Sequence, residues 1–129
     1  MIRLLDQLRI LFVEDIENDA VLMTHHLKSI CQDIQYMRVE SKKELKSILK
    51  KEDWDIIIID NALPQLSAIE AIKLIKEMDI DKPMICVSGT EMLDVQDSCL
   101  KEGAIAFLTK SDKVGLVKTV EEILQDSSD

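Results

Sequence analysis

Glycine and proline are scarce in this sequence, which has three glycines and two prolines among its 129 residues. Because these residue types form most turns and flexible connections, we expect few long or mobile loops. The length is that of one ordinary domain, with enough chain to bury a hydrophobic core. We therefore interpret residues 1–129 as a single domain, with residues 1–8 as a lead-in and residues 126–129 as a frayed tail. That tail is compatible with a natural end or with the edge of a longer protein.

Positive charge and cysteine are also limited. The chain carries 16 lysines and arginines against 25 aspartates and glutamates, a net charge of −9. Direct nucleic-acid binding is disfavoured, because phosphate contacts require a surplus of lysine and arginine. The three cysteines are odd in number and lack metal-binding spacing, which indicates buried thiols in a reducing compartment.

Long apolar runs are absent as well. No stretch approaches the roughly 20 apolar residues that a membrane-spanning helix requires. The apolar N-terminal stretch is interrupted by Arg3, Asp6 and Arg9, and it lacks the uninterrupted core and cleavage site of a signal peptide. We expect a cytoplasmic protein that makes no membrane contact.

Five apolar runs alternate with five segments of helical periodicity. Continuous apolar runs are typical of strands buried in a parallel sheet, and the alternating run at 34–39 is typical of an edge strand. Strands that alternate with helices predict an α/β fold, a parallel sheet with helices on both faces. The predicted strands are 10–13, 34–39, 56–59, 84–87 and 105–108, and the predicted helices are 18–30, 42–51, 67–78, 92–102 and 113–125.

Two helix details follow from the same patterns. In the first helical segment the 3.6-residue period places Val21, Leu22, Leu27 and Ile30 near one buried stripe. Gly103 suits the C-terminus of the fourth helix, where glycine is favoured.

Polar side chains follow four of the five runs. The carboxyl ends of parallel strands share one edge of the sheet, and ligands bind there. Each residue alone is compatible with a helix cap or a surface charge. Together they predict one site, made of Glu14 and Asp15, Asp60, Ser88, and Lys110.

The chemistry of this set points to phosphoryl transfer. Three clustered carboxylates repel one another, and a hard divalent cation such as Mg²⁺ relieves that repulsion. A lysine and a hydroxyl can hold the oxygens of a phosphoryl group. A carboxylate beside them can act as a nucleophile, and Asp60 is the best candidate because it ends the most apolar run.

Four stretches of the sequence resemble the receiver domain of two-component response regulators, and the resemblance covers essentially the whole chain. It implies a flavodoxin-like (βα)5 doubly wound parallel sheet of the CheY-like type, with strand order 2-1-3-4-5. The matching stretches are LFVED (11–15), DIIIIDNALP (55–64), ICVSGT (85–90) and GAIAFLTKS (103–111).

The resemblance implies a role for each acidic residue. Asp60 corresponds to the phosphoacceptor. Asp15 corresponds to the direct metal-binding acid, and Glu14 to its partner. The backbone carbonyl of Ala62 would complete the protein ligands of a Mg²⁺ ion together with Asp60.

The resemblance also implies a switch. Ser88 corresponds to the hydroxyl that moves toward the phosphoryl group, Lys110 to the lysine that pairs with it, and Phe107 to the aromatic switch residue. Two positions depart from the family pattern. Ala68 stands where the family usually has glycine, and Ser111 stands where proline usually follows the lysine in a cis peptide.

The resulting hypothesis is a signalling switch rather than an enzyme. Its expected partners are a histidine kinase or phosphotransfer protein, and a downstream effector or detached output domain. A phosphorylation-dependent dimer is compatible with the resemblance. The alternative is a receiver-like interaction module that works without phosphorylation.

Two enzyme or cofactor classes fit less well. A flavodoxin-type nucleotide binder needs a serine-, threonine- or glycine-rich loop after the first strand, where this chain has EDIENDA. A phosphatase of the haloacid dehalogenase type needs a second aspartate at position 62, which is alanine.

Overall fold

The computed structural model of the protein describes residues 7–127, with side chains described for residues 7–125. All strand pairs are parallel, and the strand order is β2-β1-β3-β4-β5, so the predicted fold class is confirmed. No helix between residues 7 and 127 is long and apolar enough to cross a membrane. The elements are β1 (Leu8–Val13), α1 (Glu17–Leu27), β2 (Ile34–Val39), α2 (Lys42–Lys51), β3 (Ile56–Asp60), α3 (Ala68–Glu77), β4 (Met84–Ser88), α4 (Leu93–Glu102), β5 (Ala106–Thr109) and α5 (Lys113–Ser127).

The predicted lead-in and tail fall mostly at the limits of the described residues. Leu8 already belongs to β1, because its N–H donates to the Asp33 carbonyl at 2.9 Å and its side chain is fully buried. Helix α5 continues to Ser127, two residues into the predicted tail. Residues 1–6 and 128–129 lie outside the described residues, so the remainder of this division stays a prediction.

The isoleucines of β3 supply both faces of the core. Ile57 and Ile59 pack in the cluster that contains the buried residues of α2, α3 and α4. Ile56 and Ile58 pack in the opposite cluster, with α1 and α5. A strand covered by helices on both faces has no solvent side, which explains the uninterrupted apolar run. The run therefore holds Asp60, its last residue, at the centre of the carboxyl edge.

The buried stripe of α1 differs from the prediction. Val21 and Leu22 are 46% and 50% exposed, so they do not face the core. The buried positions are Ala20, Met23, Thr24 and Leu27, whose spacings of three, four and seven residues place them on one helix face. The prediction was wrong for Val21 and Leu22, because the core-facing stripe contains a small alanine instead of two large aliphatic residues.

The C-terminus of α4 and the N-terminus of α3 lie at Gly103 and Ala68, two positions singled out in the sequence. Gly103 ends α4 as predicted, with φ of 135°, a conformation that disfavours a side chain. Helix α3 begins at Ala68, which is fully buried. Ser67 caps this helix: its hydroxyl accepts from the Glu70 N–H at 3.1 Å, and Glu70 Oε1 accepts from the Ser67 N–H at 3.2 Å. Alanine at position 68 is therefore compatible with a regular helix start.

We expect Ser67→Ala to lower the free energy of unfolding by about 1 kcal/mol, because the Glu70 N–H loses its acceptor. Urea denaturation measures this change. Ser47→Ala is the matched control, since Ser47 is exposed in the interior of α2, where alanine is favoured. Equal stability of Ser67→Ala and the wild type would contradict the capping interaction.

Candidate functional site

Two adjacent strands bring the three acidic residues together. Val13 and Ile59 are register partners in β1 and β3, and the next residues are Glu14 and Asp60. Asp15 follows Glu14 at the start of the β1–α1 loop. Glu14, Asp15 and Asp60 each offer a carboxylate oxygen within 4.8 Å of the others. The structure thus forms the acidic cluster that the sequence predicts.

Glu14 is the most confined of the three acids, with 1% of its side chain exposed. Its Oε2 accepts a 3.3 Å hydrogen bond from the Ile16 N–H. Its buried Oε1 lies 2.8 Å from Lys110 Nζ as an ion pair but accepts no hydrogen bond among the described residues. Desolvation, followed by the Asp60 carboxyl, raises the pKa of Glu14 to about 7, although Lys110 opposes the shift. Carboxylate oxygens are the ligands that a hard divalent cation prefers, so Glu14 is well suited to bind one.

Asp60 is 2% exposed, and both of its oxygens have partners. Oδ1 accepts the Ala62 N–H at 3.0 Å, and Oδ2 accepts from Lys110 Nζ at 3.1 Å. Burial of an ionised carboxylate is costly unless it is paired and hydrogen-bonded, and these two contacts meet that requirement. They also fix the orientation of the carboxylate at the end of β3.

Lys110 directly follows β5, the strand on the side of β4 away from β3, and its side chain extends back to the acidic cluster. Its N–H donates to the Ser88 carbonyl at 2.7 Å, which holds the residue against the end of β4. Its Nζ lies 2.6 Å from Asp19 Oδ2, 2.8 Å from Glu14 Oε1 and 3.1 Å from Asp60 Oδ2. Burial alone lowers the pKa of Lys110, but its contacts with these carboxylates outweigh burial and raise the pKa above its usual range. Lys110 is therefore a positive charge shared among three acids.

The two predicted switch residues, Ser88 and Phe107, do not contact the acidic cluster in the described contacts. Ser88 is 3% exposed at the end of β4, and its Oγ accepts the Thr90 N–H at 3.4 Å. Among the described contacts, no hydrogen bond joins that hydroxyl to the acidic cluster. Phe107 lies in β5, where it packs against the core on the α3 and α4 side and lines a cavity of about 210 Å³ together with Leu93. The structure does not bring Phe107 into the charged cluster.

The remaining predicted positions lie close by. Ala62 is exposed two residues beyond Asp60, and its N–H is turned toward the carboxylate. The Lys110–Ser111 peptide is trans, as are all peptide bonds of the described residues.

Two residues of the site were not anticipated from the sequence. Asp19, in the first turn of α1, shares Lys110 with Glu14 and Asp60. Arg38 in β2 donates from its guanidinium to the carbonyls of Glu14 and Asp15 at 3.2 and 3.3 Å, and to Glu40. For Asp19 the available signal is that it is an acidic residue in the first turn of the helix that follows Glu14 and Asp15. For Arg38 it is a position near the end of a strand that pairs with β1.

The fold and the site together define a class, a doubly wound α/β protein with an acid–lysine cluster at the carboxyl edge of its sheet. Residues 10–121 match the family model of the response regulator receiver domain. The chain therefore belongs to the response regulator receiver domain family, whose members are signalling domains of two-component systems and are generally not enzymes.

Curated relatives agree with this assignment. The two-component response regulator ARR7 of Arabidopsis thaliana is 31% identical over 93 residues, which cover 70% of this chain and 45% of ARR7. The transcriptional regulatory protein PhoP of Escherichia coli is 30% identical over 105 residues, which cover 80% of this chain and 45% of PhoP. The chain spans less than half the length of either relative.

Solved structures share the fold. The receiver domain of the Francisella response regulator 1452 has a TM-score of 0.78 at 21% identity, covering 93% of this chain and 98% of that chain. The receiver domain of the Pseudomonas aeruginosa sensor histidine kinase PA1611, which was solved with a coordinated magnesium ion, has a TM-score of 0.76 at 20% identity, covering 92% and 98%. At these identities the likeness shows the fold alone.

Proposed function

We propose that the protein is a phosphoacceptor switch of a two-component phosphorelay, with Asp60 as the residue that receives the phosphoryl group. One observation carries the proposal, namely that Asp60 is gathered with two further acids within 4.8 Å and with Lys110 at 3.1 Å. A helix cap or a surface ion pair needs only two partners. Phosphoryl transfer accounts for all four groups: Asp60 as the nucleophile, the two further acids as metal ligands, and Lys110 as a positive charge for the phosphoryl oxygens.

Asp60 is suited to the role of nucleophile because its backbone lies between two neighbouring strands and its Oδ1 is oriented by the Ala62 N–H. A carboxylate oxygen attacks the phosphorus of the donor, and the bond from phosphorus to the donor's leaving atom breaks. That atom is nitrogen in a phosphohistidine and oxygen in acetyl phosphate. The donor departs with the electron pair, and Asp60 becomes an acyl phosphate.

The same cluster fits a divalent cation. Glu14, Asp15 and Asp60 would hold Mg²⁺, and the family resemblance adds the backbone carbonyl of Ala62. The supporting observation is the buried Glu14 Oε1, which lies 2.8 Å from the Lys110 ammonium as an ion pair and has no other partner among the described residues. When bound, the ion supplies charge neutralisation and binds phosphoryl oxygens. In the proposed mechanism, Lys110 and the Ser88 hydroxyl hold the remaining phosphoryl oxygens.

The output step follows from charge. A phosphoryl group adds negative charge and new acceptor oxygens, which recruit Ser88 and Lys110. That recruitment changes the loop after β4 and the surroundings of Phe107. We propose that the face formed by α4, β5 and α5 then contacts an effector or a detached output domain. A cytoplasmic histidine kinase or phosphotransfer protein would be the donor, and a phosphorylation-dependent dimer is one form that the output can take.

Intact-mass spectrometry after incubation with acetyl phosphate tests the proposal. We expect one phosphoryl adduct that requires Mg²⁺ and is lost in Asp60→Asn. The matched control is Asp97→Asn, since Asp97 is 66% exposed and pairs with Lys101 on the surface of α4, away from the acidic cluster. That variant should be phosphorylated like the wild type.

The opposite result would identify a different function. If the folded wild type gains no adduct and forms no fluoroberyllate complex, Asp60 is not a phosphoacceptor. The phosphorylation-independent interaction module then becomes the better interpretation.

A further inference from the structure

Among residues 7–125, Asp19 is the one carboxylate in contact with Lys110 that does not belong to the acidic cluster. Lys110 Nζ contacts three acids, and two of them, Glu14 and Asp60, are in the proposed metal-binding set. The third contact, to Asp19 Oδ2 at 2.6 Å, is the shortest. Asp19 therefore offers Lys110 an anchor that a bound cation would not take.

The helix start supports this placement of a negative charge. Asp19 lies in the first turn of α1, where the helix dipole stabilises acidic side chains. Its N–H donates to the Ile16 carbonyl at 3.1 Å, which fixes its backbone beside the β1–α1 loop. The side chain is 32% exposed, so it lies at the rim of the cluster and not inside it.

A cation in the cluster changes the partners of Lys110. The positive charge of the ion would repel the ammonium, and Glu14 and Asp60 would hold the ion with oxygens that now contact Lys110. Without another acceptor, Lys110 would have to compete with the metal or leave the site. The contact with Asp19 removes that conflict, because it holds the ammonium within reach of Asp60 while the other acids are occupied.

We propose that Asp19 is a positioning residue that lets Lys110 and the bound metal ion occupy the site together. This inference rests on the proposed function, because it requires a divalent cation in the acidic cluster. Asp19 acts through Lys110 and does not touch the reacting atoms.

A double-mutant cycle on Mg²⁺ affinity tests the inference, with isothermal titration calorimetry as the measurement. We expect Asp19→Asn to weaken Mg²⁺ binding by about tenfold, a magnitude typical of partners that orient a metal site. In the Lys110→Ala background the same substitution should change the affinity by no more than about twofold, because the residue through which Asp19 acts is gone.

Glu17→Gln is the matched control, because Glu17 is exposed in the same turn of α1 and its removal lowers the local negative charge equally without touching Lys110. A second readout is NMR of the lysine ammonium groups in the Mg²⁺-saturated protein. The wild type should show a Lys110 signal protected by slow proton exchange, and Asp19→Asn should lose it.

The outcomes separate this inference from the proposed function. If the wild type does not bind Mg²⁺, the proposed function fails. If it binds Mg²⁺ but Asp19→Asn behaves like Glu17→Gln, or keeps its full effect in the Lys110→Ala background, Asp19 acts only as a charge and the inference is overturned.

Discussion

Lys110→Ala should lower the free energy of unfolding of the metal-free protein by about 3–5 kcal/mol, the cost of removing one partner from a buried ion pair. Glu14 and Asp60 are 1% and 2% exposed, and Lys110 is their shared counter-ion. Its removal leaves two buried carboxylates facing each other. Urea denaturation in the presence of a chelator measures the loss, at pH values above the pKa of Glu14.

Mg²⁺ should reverse most of this loss. A divalent cation in the cluster neutralises the carboxylates that Lys110 no longer pairs, and a ligand that binds only the native state stabilises it. We also expect Lys110→Ala to bind Mg²⁺ at least about tenfold more tightly than the wild type, because no ammonium then repels the ion or competes for the Glu14 and Asp60 oxygens. The variant should nevertheless be phosphorylated poorly, since the Lys110 ammonium proposed to hold the phosphoryl oxygens is missing.

Lys101→Ala is the control for this experiment. Lys101 is 76% exposed and pairs with Asp97 one helical turn away, so its removal should cost no more than about 0.5 kcal/mol. If Lys110→Ala lost no more stability than Lys101→Ala, and Mg²⁺ restored none of it, Lys110 would not be the counter-ion of a buried cluster.

The sequence predicts the parts of this site that follow strands. Four isoleucines before Asp60 require helices on both faces of β3, and that places the aspartate at the sheet edge. Glu14 and Lys110 follow strands in the same way, and in a parallel sheet the carboxyl ends of all strands lie at one edge. Strand periodicity and topology were therefore sufficient to bring these residues together.

The missed residues depend on contacts that no local pattern encodes. Asp19 and Lys110 are 91 residues apart, and Arg38 reaches the carbonyl of Glu14 across 24 residues. Their roles depend on side-chain reach and on the rotation of α1, which the sequence interpretation placed incorrectly at Val21 and Leu22. A stripe that includes Ala20 positions α1 so that Asp19 lies near Lys110.

Mg²⁺ binding should weaken about tenfold between one pH unit above and one unit below the pKa of Glu14, because protonation competes with the metal. Burial, followed by the Asp60 carboxyl, raises that pKa to about 7 from the ordinary glutamate value of 4.5. Binding at a pH equal to this pKa should therefore release about half a proton, and binding one unit below it close to one proton. Calorimetric titrations in buffers with different heats of ionisation measure the proton count directly.

The same shift predicts the pH dependence of stability. A carboxyl whose pKa is raised on folding stabilises the native state below its unfolded pKa, and that contribution is lost as the pH rises through the folded value. Metal-free protein should thus lose stability between pH 4.5, the ordinary pKa of glutamate, and about pH 7, and saturating Mg²⁺ should abolish that loss. Glu14→Gln, which cannot titrate, should bind Mg²⁺ more weakly but with little pH dependence over this range. If Glu14→Gln released as many protons on binding Mg²⁺ as the wild type, the titrating group would not be Glu14. Glu14 would then be ionised at all pH values tested.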